Sequence, residues 1–248
     1  FFDFTGKIKE RPEKLINPDL ATGKTEIDVQ GFKVLSEAQE LPVDISMDEM
    51  NLHIETLLDY RNLTIRNEKV GAIFKVYSEV LRSYADYLRA QNFLEIKTPK
   101  LLSACTEGGA EFFKVKYFEK EAYLAQSPQF YKQAGVGAFE RVFEIGSVFR
   151  AEPHFTSRHI NEFVGLDAEM GFIDGPEDVM DVLEETMKYI LQDIKEKCSK
   201  ELNIHGVDVE IPEKFPRIKF SEALEILKKE FGKEMEGPDI DPKGERLI

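Results

Sequence analysis

Phe149-Arg150-Ala151-Glu152, followed by Arg158-His159 and then by Glu162-Phe163-Val164-Gly165-Leu166-Asp167-Ala168-Glu169, reads as two strands joined by a polar loop. Side chains alternate across a strand, so Arg150 and Glu152 share one face of the first. In the second, Phe163, Asp167 and Glu169 share a face, while Val164, Leu166, Ala168 and Met170 take the other. A guanidinium, carboxylates and an aromatic ring therefore converge above one sheet. Unpaired buried charges are strongly disfavoured, so a purely structural role for this set is costly. A polar ligand carrying both negative and positive groups removes that cost, and the stretch is read as a binding site.

The same residues resemble motif 2 of the class II aminoacyl-tRNA synthetases, with wording closest to the aspartyl enzymes of the archaeal and eukaryotic-like branch. The resemblance implies an ATP site without a glycine-rich phosphate loop. Carried over, Arg150 grips the α-phosphate and serves as the catalytic cation, and it is also assigned to the aspartate. Glu152 reads the adenine amino group and Phe163 stacks on the adenine. Arg158 and His159 sit near the outer phosphates, and Ile160 joins the ATP-binding set. A guanidinium matches phosphate oxygens bidentately, which suits a reaction that depends on positioning and charge neutralisation.

Two further segments bear on the amino acid. Thr106-Glu107-Gly108-Gly109-Ala110-Glu111 reads, from the residues alone, as a glycine-rich surface turn before a hairpin. It also resembles the aspartyl family's flipping loop, which implies that Glu107 closes over the substrate and contacts its amino group. Gln126-Ser127-Pro128-Gln129-Phe130-Tyr131-Lys132-Gln133 matches the family's Gln-Ser-Pro-Gln segment. A lone lysine after such a segment is ordinarily a solvated surface residue. Under the resemblance, Lys132 balances the substrate's side-chain carboxylate, Gln129 adds a hydrogen bond, and Asp167 balances the ammonium. An asparaginyl enzyme is expected to lack that lysine, and a lysyl enzyme needs acid there.

Outward from this site the chain reads as α+β, a class II synthetase-like antiparallel sheet flanked by helices and preceded by the end of an OB-fold barrel. Residues 1–40 are expected to be the C-terminal part of that anticodon-binding barrel, with Phe2, Phe4 and Ile8 alternating and a strand pair around Gly31. Its aromatics fit either core or nucleic-acid platforms, and core is the favoured reading. Residues 41–65 are expected to form a hinge, and 66–248 the catalytic domain. Within the latter, Ile73, Val76, Tyr77, Val80, Leu81, Tyr84 and Leu88 repeat at helical spacing, and the helix ends near Asn92. The strand Phe93–Lys97 then stops at Thr98-Pro99, the layout of motif 1, which implies a homodimer. A hairpin over 111–126, a short helix over 129–133 and a strand over 141–152 follow. Asp174 is placed as the N-cap of a helix to about Ser199 that buries Val179, Val182, Leu183, Met187, Ile190 and Ile194. Ser221 caps one more helix, ending at Gly232.

Composition sets bounds. Of 248 residues, 42% are hydrophobic and 32% charged, enough apolar material for a core. No apolar run approaches the roughly 20 residues that span a bilayer, and no secretory signal is visible. Cys105 and Cys198 match no metal or disulfide pattern and read as reduced cytosolic thiols, so a cytoplasmic setting is expected. The net charge of −14 argues against nucleic-acid binding in general, and the motifs overrule it locally. His53 and His205 are expected to be exposed, and Gly135-Val136-Gly137 is too short for a dinucleotide fingerprint.

The resemblance implies an aspartate–tRNA ligase using L-aspartate, ATP, Mg2+ and tRNA(Asp), with tRNA(Asn) or an asparaginyl-type substrate as the alternatives. The family's motif 3, with its second arginine and magnesium carboxylate, does not occur before Ile248, so no metal ligand is assigned in this chain. The chain is therefore expected to be part of a longer enzyme, weakly active or inactive alone. A synthetase-derived binding protein without catalysis is the other alternative.

Overall fold

A computed structural model describes residues 1–248 except 19, 48, 105–111, 153–159 and 235–238. It divides into two compact units, residues 1–67 and 68–248.

The first unit is built on a hairpin of β1 (Phe2–Glu10) and β2 (Thr25–Val34). Apolar residues in β2 fall at 27 and 29 but then at 32 and 34, so strict alternation breaks between them. The ladder breaks there too: Thr5 faces Gly31 and Gly6 faces Val29, leaving Gln30 as the extra residue of a bulge. That one residue keeps Ile27, Val29, Phe32 and Val34 on the face that carries Phe2, Phe4 and Ile8. Gly31 thus lies within one continuous strand and does not divide a strand pair. Phe2, Phe4 and Phe32 form a ring cluster with centroids 5.8–6.5 Å apart. All three are exposed. Between the strands the chain doubles back tightly, and a Cβ at Gly23 would meet the Asn17 carbonyl oxygen at 1.7 Å. Two short helices, α1 (Ile54–Asp59) and α2 (Arg61–Thr64), occupy the stretch read as a hinge.

The second unit centres on a three-stranded sheet in the order β3 (Leu94–Glu95), β7 (Arg141–Phe149), β8 (Glu162–Met170). The β7–β8 ladder is antiparallel over nine residue pairs, and the short β3 runs parallel to β7. A second sheet joins β4 (Leu101–Leu102), β6 (Lys120–Leu124) and β5 (Lys114–Tyr117). On one face of β7–β8 pack α3 (Glu68–Ala90) and α5 (Pro176–Lys197). The core between them holds Tyr84, Ala85, Leu88, Phe93, Phe143, Ile190, Ile194 and Cys198. Phe143 is fully buried and meets Tyr84 edge-on at 5.9 Å. Truncating such a ring removes its transfer energy and leaves a cavity. Phe143→Ala is therefore expected to destabilise the fold by about 3–5 kcal/mol in urea denaturation.

The helices depart from the sequence reading in instructive ways. On α3 the buried set is Ala72, Ser83, Tyr84, Ala85 and Leu88, whereas Ile73 and Tyr77 are exposed. Small residues let α3 approach α5 closely, and Ser83 donates to Asp193 at 2.8 Å across that contact. On α5, Val179, Leu183 and Met187 are exposed rather than buried. The N-cap of α5 is Gly175, not Asp174, because Pro176 suits the first helical position, where no N–H is required. Asp178 accepts from the backbone N–H groups of Asp174 and Gly175 at 2.8 and 3.2 Å. The short helix α6 (Ser199–His205) follows, and His205 is half-buried with its Nε2 2.8 Å from the Lys69 carbonyl, not exposed. The next helix, α7 (Phe220–Phe231), is capped at Lys219 rather than Ser221, with Glu222 accepting from the Lys219 N–H at 3.0 Å. Gly232 ends it at φ +62°. A last turn, α8 (Pro242–Glu245), is capped by Asp241.

Glu184 ties the connection after α6 to α5. It accepts from Lys188, from Arg217 at 2.7 Å and from the Phe215 N–H. Lys188, then Arg217, hold its carboxyl at about 2, well below the usual carboxylate range. A carboxyl with a depressed folded-state pKa stabilises fully above its unfolded value near 4.3, and that contribution disappears as pH falls toward about 2. Glu184→Gln is accordingly expected to be less stable than the parent at pH 7. The gap between their urea midpoints should close as pH drops from about 4.5 to about 2.

Candidate active site

The face of β7–β8 opposite the core carries the polar set. Even-numbered residues of β7 and odd-numbered residues of β8 share it: Val142 with Glu169, Glu144 with Asp167, Gly146 with Gly165, Val148 with Phe163. Over it lies α4 (Gln129–Phe139). This helix extends well past Gln133 and runs through Gly135-Val136-Gly137. Gly135 is the reason it lies so close, since a Cβ there would meet Val142 Cγ1 at 3.2 Å. Buried Gln126 and Ser127 lead into the helix, and Ser127 Oγ accepts from the Gln129 N–H at 3.2 Å.

Two clusters lie along this face. At one end Lys132, only 14% exposed at its side chain, places its ammonium 3.1 Å from Asp167 and 3.4 Å from Glu169. Half-buried Gln129 precedes it by about one turn on the same helix. At the other end the Arg150 guanidinium lies 5.7 Å from the centre of the Phe163 ring. Arg150 lies just past the end of β7, and its N–H donates to the Asn161 carbonyl at 3.0 Å, which carries the pairing one step beyond the strand. With its amide nitrogen turned inward, Asn161 also reaches the carbonyls of Arg150 and Glu152, both at 3.2 Å. Glu152 is half-buried beside it, whereas Ile160 is 60% exposed. Glu107, Arg158 and His159 lie outside the described residues.

Between the clusters the floor is flat because Gly146 and Gly165 are cross-strand partners. A Cβ at Gly165 would come within 2.8 Å of an Asp167 carboxylate oxygen, and one at Gly146 would sit 3.2 Å from Glu144 Oε1 and from Lys100 Nζ. Side chains at either position would press on these charged groups. The alternation in β8 is as the sequence indicates, but its exposure is inverted. Phe163, Asp167 and Glu169 are half-buried, while Val164 and Leu166 are 37% and 38% exposed. Part of that apolar face borders a cavity of about 360 Å³ lined by Leu166, Met170, Val179 and Leu183.

The sequence reading passed over Glu144 and Lys100. Glu144 is 2% exposed in mid-strand. It accepts from the Thr98 N–H at 2.9 Å, the Thr98 hydroxyl at 2.7 Å and Lys100 Nζ at 3.1 Å. A lone acid within Val142-Phe143-Glu144-Ile145 was the available signal. Among the described residues no three His, Cys, Asp or Glu side chains are grouped as metal ligands.

One face thus offers a cation against an aromatic ring at one end, a lysine between carboxylates at the other, and a glycine pair between them. The family model for class II tRNA synthetases (D, K and N) matches residues 53–248. The chain belongs to that family. Among class II synthetases, it is 42% identical over 99% of its length to the aspartate–tRNA(Asp/Asn) ligase of Deinococcus radiodurans, covering 55% of that protein. It is 45% identical over 90% of its length to the aspartate–tRNA(Asp) ligase of Pyrococcus abyssi, covering 51% of it. The asparaginyl-tRNA synthetase of Pyrococcus horikoshii, solved with asparaginyl-adenylate, superposes with a TM-score of 0.88 at 33% identity, over 99% of this chain and 55% of that one. The chain spans about half the length of the curated relatives it matches. No described helix of this synthetase chain is long and apolar enough to cross a membrane.

Proposed function

We propose that this chain supplies the ATP- and aspartate-binding face of an aspartate–tRNA ligase. The observation that carries the reading is Lys132, held away from solvent and poised between Asp167 and Glu169. An α-amino acid with an acidic side chain brings one ammonium and two carboxylates. Its ammonium replaces Lys132 as the partner of Asp167, and its side-chain carboxylate takes the freed lysine, so both groups of the exchanged pair keep a counter-charge. Glu107 closes over the ammonium and Gln129 donates to the side chain. Asparagine supplies no charge for Lys132, and lysine supplies the wrong one.

ATP occupies the other end. Phe163 offers its ring to the adenine and Glu152 accepts from the adenine amino group, while Arg158, His159 and Ile160 border the remainder. Arg150 lies at the junction, where the α-phosphate meets the aspartate carboxylate across the Gly146–Gly165 floor. The aspartate α-carboxylate oxygen attacks the α-phosphorus, the bond to the bridging oxygen breaks, and pyrophosphate leaves with aspartyl-adenylate formed. Arg150 accelerates the step only to the extent that it binds the charge of the transition state more tightly than that of ATP. The terminal ribose hydroxyl of tRNA then attacks the acyl carbon and AMP departs. Magnesium would neutralise the phosphates when ATP is bound. The described residues do not by themselves make a magnesium site, so no step is assigned to the ion.

Residues 1–40 are read as the end of an anticodon-binding OB-fold, 41–65 as a hinge and 66–248 as the catalytic domain of a cytoplasmic homodimer. A second reading, a ligase that charges both tRNA(Asp) and tRNA(Asn) with aspartate, is favoured by the relative from Deinococcus radiodurans, which is named for both tRNAs. Aminoacylation by the full-length gene product tests both readings. Aspartate transfer to tRNA(Asp) alone supports the first and transfer to both tRNAs the second, whereas transfer of asparagine contradicts the assignment of Lys132.

A further inference from the structure

Three carboxylates share the site face of the β7–β8 ladder, and Glu144 and Asp167 stand directly opposite one another. Like charges at directly opposed positions repel, their Cβ atoms being about 4.5–5.5 Å apart. Two lysines from different elements serve them, one for Asp167 and Glu169 together and one for Glu144. Lys132 reaches Asp167 and Glu169 from α4. Lys100 reaches Glu144 from the segment between β3 and β4. Lys100 Nζ also stands 3.2 Å from the Cβ position of Gly146, on the same face as Lys132 and over the floor between the two clusters. Glu144 is nearly inaccessible, so water cannot substitute for that cation.

We propose that Lys100 and Glu144 are positioning residues for the amino-acid pocket, a charge-balancing pair that keeps Lys132 available to the ligand's carboxylate. The inference rests on the aspartate–tRNA ligase reading. With Lys100 in place, Glu144 is neutralised on its own side of the ladder, and Lys132 answers only to Asp167 and Glu169. Without it, a buried negative charge beside Asp167 competes for the field of Lys132 and opposes entry of an anionic side chain. The ATP end, where Arg150 and Phe163 lie two ladder positions beyond Gly146 or further, is affected much less. Thr98, which donates to Glu144 through both its N–H and its hydroxyl, fixes the carboxylate in place whichever residue stands at position 100.

The test is aspartate-dependent ATP–pyrophosphate exchange by the full-length gene product and three variants, with KM for aspartate and for ATP measured separately. Lys100→Met is expected to raise KM for aspartate about tenfold, the equivalent of about 1.4 kcal/mol, and to leave KM for ATP within about twofold. Glu144→Gln keeps the shape and leaves an extra cation, so KM for aspartate should fall, by about threefold. The double variant Lys100→Met/Glu144→Gln should return KM for aspartate to within about threefold of the parent. The opposite signs of the two single variants are what a packing role does not produce. If Lys100→Met does not fold, Glu144→Gln and the double variant carry the same comparison. A KM for aspartate that rises in Glu144→Gln, or a double variant that is not restored, overturns the pair's assignment while leaving the ligase reading intact. Absence of aspartate-dependent exchange in the unsubstituted protein overturns the ligase reading and this inference with it.

Discussion

Replacing Lys132 by alanine is expected to lower kcat/KM for aspartate in pyrophosphate exchange by about a hundredfold or more. Removing one member of a desolvated, hydrogen-bonded charge pair costs about 2–5 kcal/mol, mostly because the remaining charge is left without its partner. Here the deficit falls on the ligand. Its side-chain carboxylate would enter a pocket that keeps Asp167 and Glu169 but has lost their common cation. The effect should appear as a raised KM for aspartate, with KM for ATP little changed, because Arg150 and Phe163 lie at the other end of the floor. Lys132→Met separates charge from packing: it retains the side chain's length and should be nearly as impaired as alanine. Asp167 and Glu169 remain 24% and 30% exposed at their side chains, so they keep some hydration and the variant should still fold.

The second large effect is expected at Arg150. Loss of a preorganised group that stabilises charge developing in the transition state costs about 10²–10³ in kcat. Arg150→Ala should fall in that range, with kcat and kcat/KM reduced together and KM for aspartate nearly unchanged. Arg150→Lys should recover only a small part of the loss. The Arg150 guanidinium lies over the Phe163 ring at 5.7 Å and can present paired N–H donors to phosphate oxygens, a fork that an ammonium lacks. Steady-state exchange kinetics with either substrate varied separates this outcome from a simple loss of ATP binding, which would raise KM for ATP and leave kcat in place.

The site was legible where side-chain alternation carries the information. Phe163, Asp167 and Glu169 fall on one face of β8 by counting in twos, and Arg150 follows β7 in the same phase, so the ring and the guanidinium meet as the pattern indicates. Lys132 was placed by its local segment, and the ion pair with Asp167 spans 35 positions that no periodicity reports. Glu144 was missed for the same reason. Its partners Thr98 and Lys100 lie 46 and 44 residues away, and only the fold brings that segment across β7.

Helical periodicity located α3 and α5 but not the depth to which each residue is buried. Ile73, Tyr77, Val179 and Leu183 lie on stripes that count as apolar, yet all four are exposed. Conversely Ala72, Ser83 and Ala85, which add little to an apolar stripe, are buried because small side chains permit close helix contact. Gly135 lies beyond the short helix expected over 129–133 and is instead a helical residue whose missing Cβ lets α4 reach β7. The bulge at Gln30 was present in the sequence as the displaced spacing of Val29 and Phe32, and a strand pair was inferred where one kinked strand suffices.

The most direct test of the account is amino-acid-dependent ATP–pyrophosphate exchange by the full-length gene product, with aspartate, asparagine and lysine offered separately. Exchange with aspartate alone, lost in Lys132→Ala, is the predicted result. Exchange driven by asparagine or lysine, or an unimpaired Lys132→Ala variant, would contradict it.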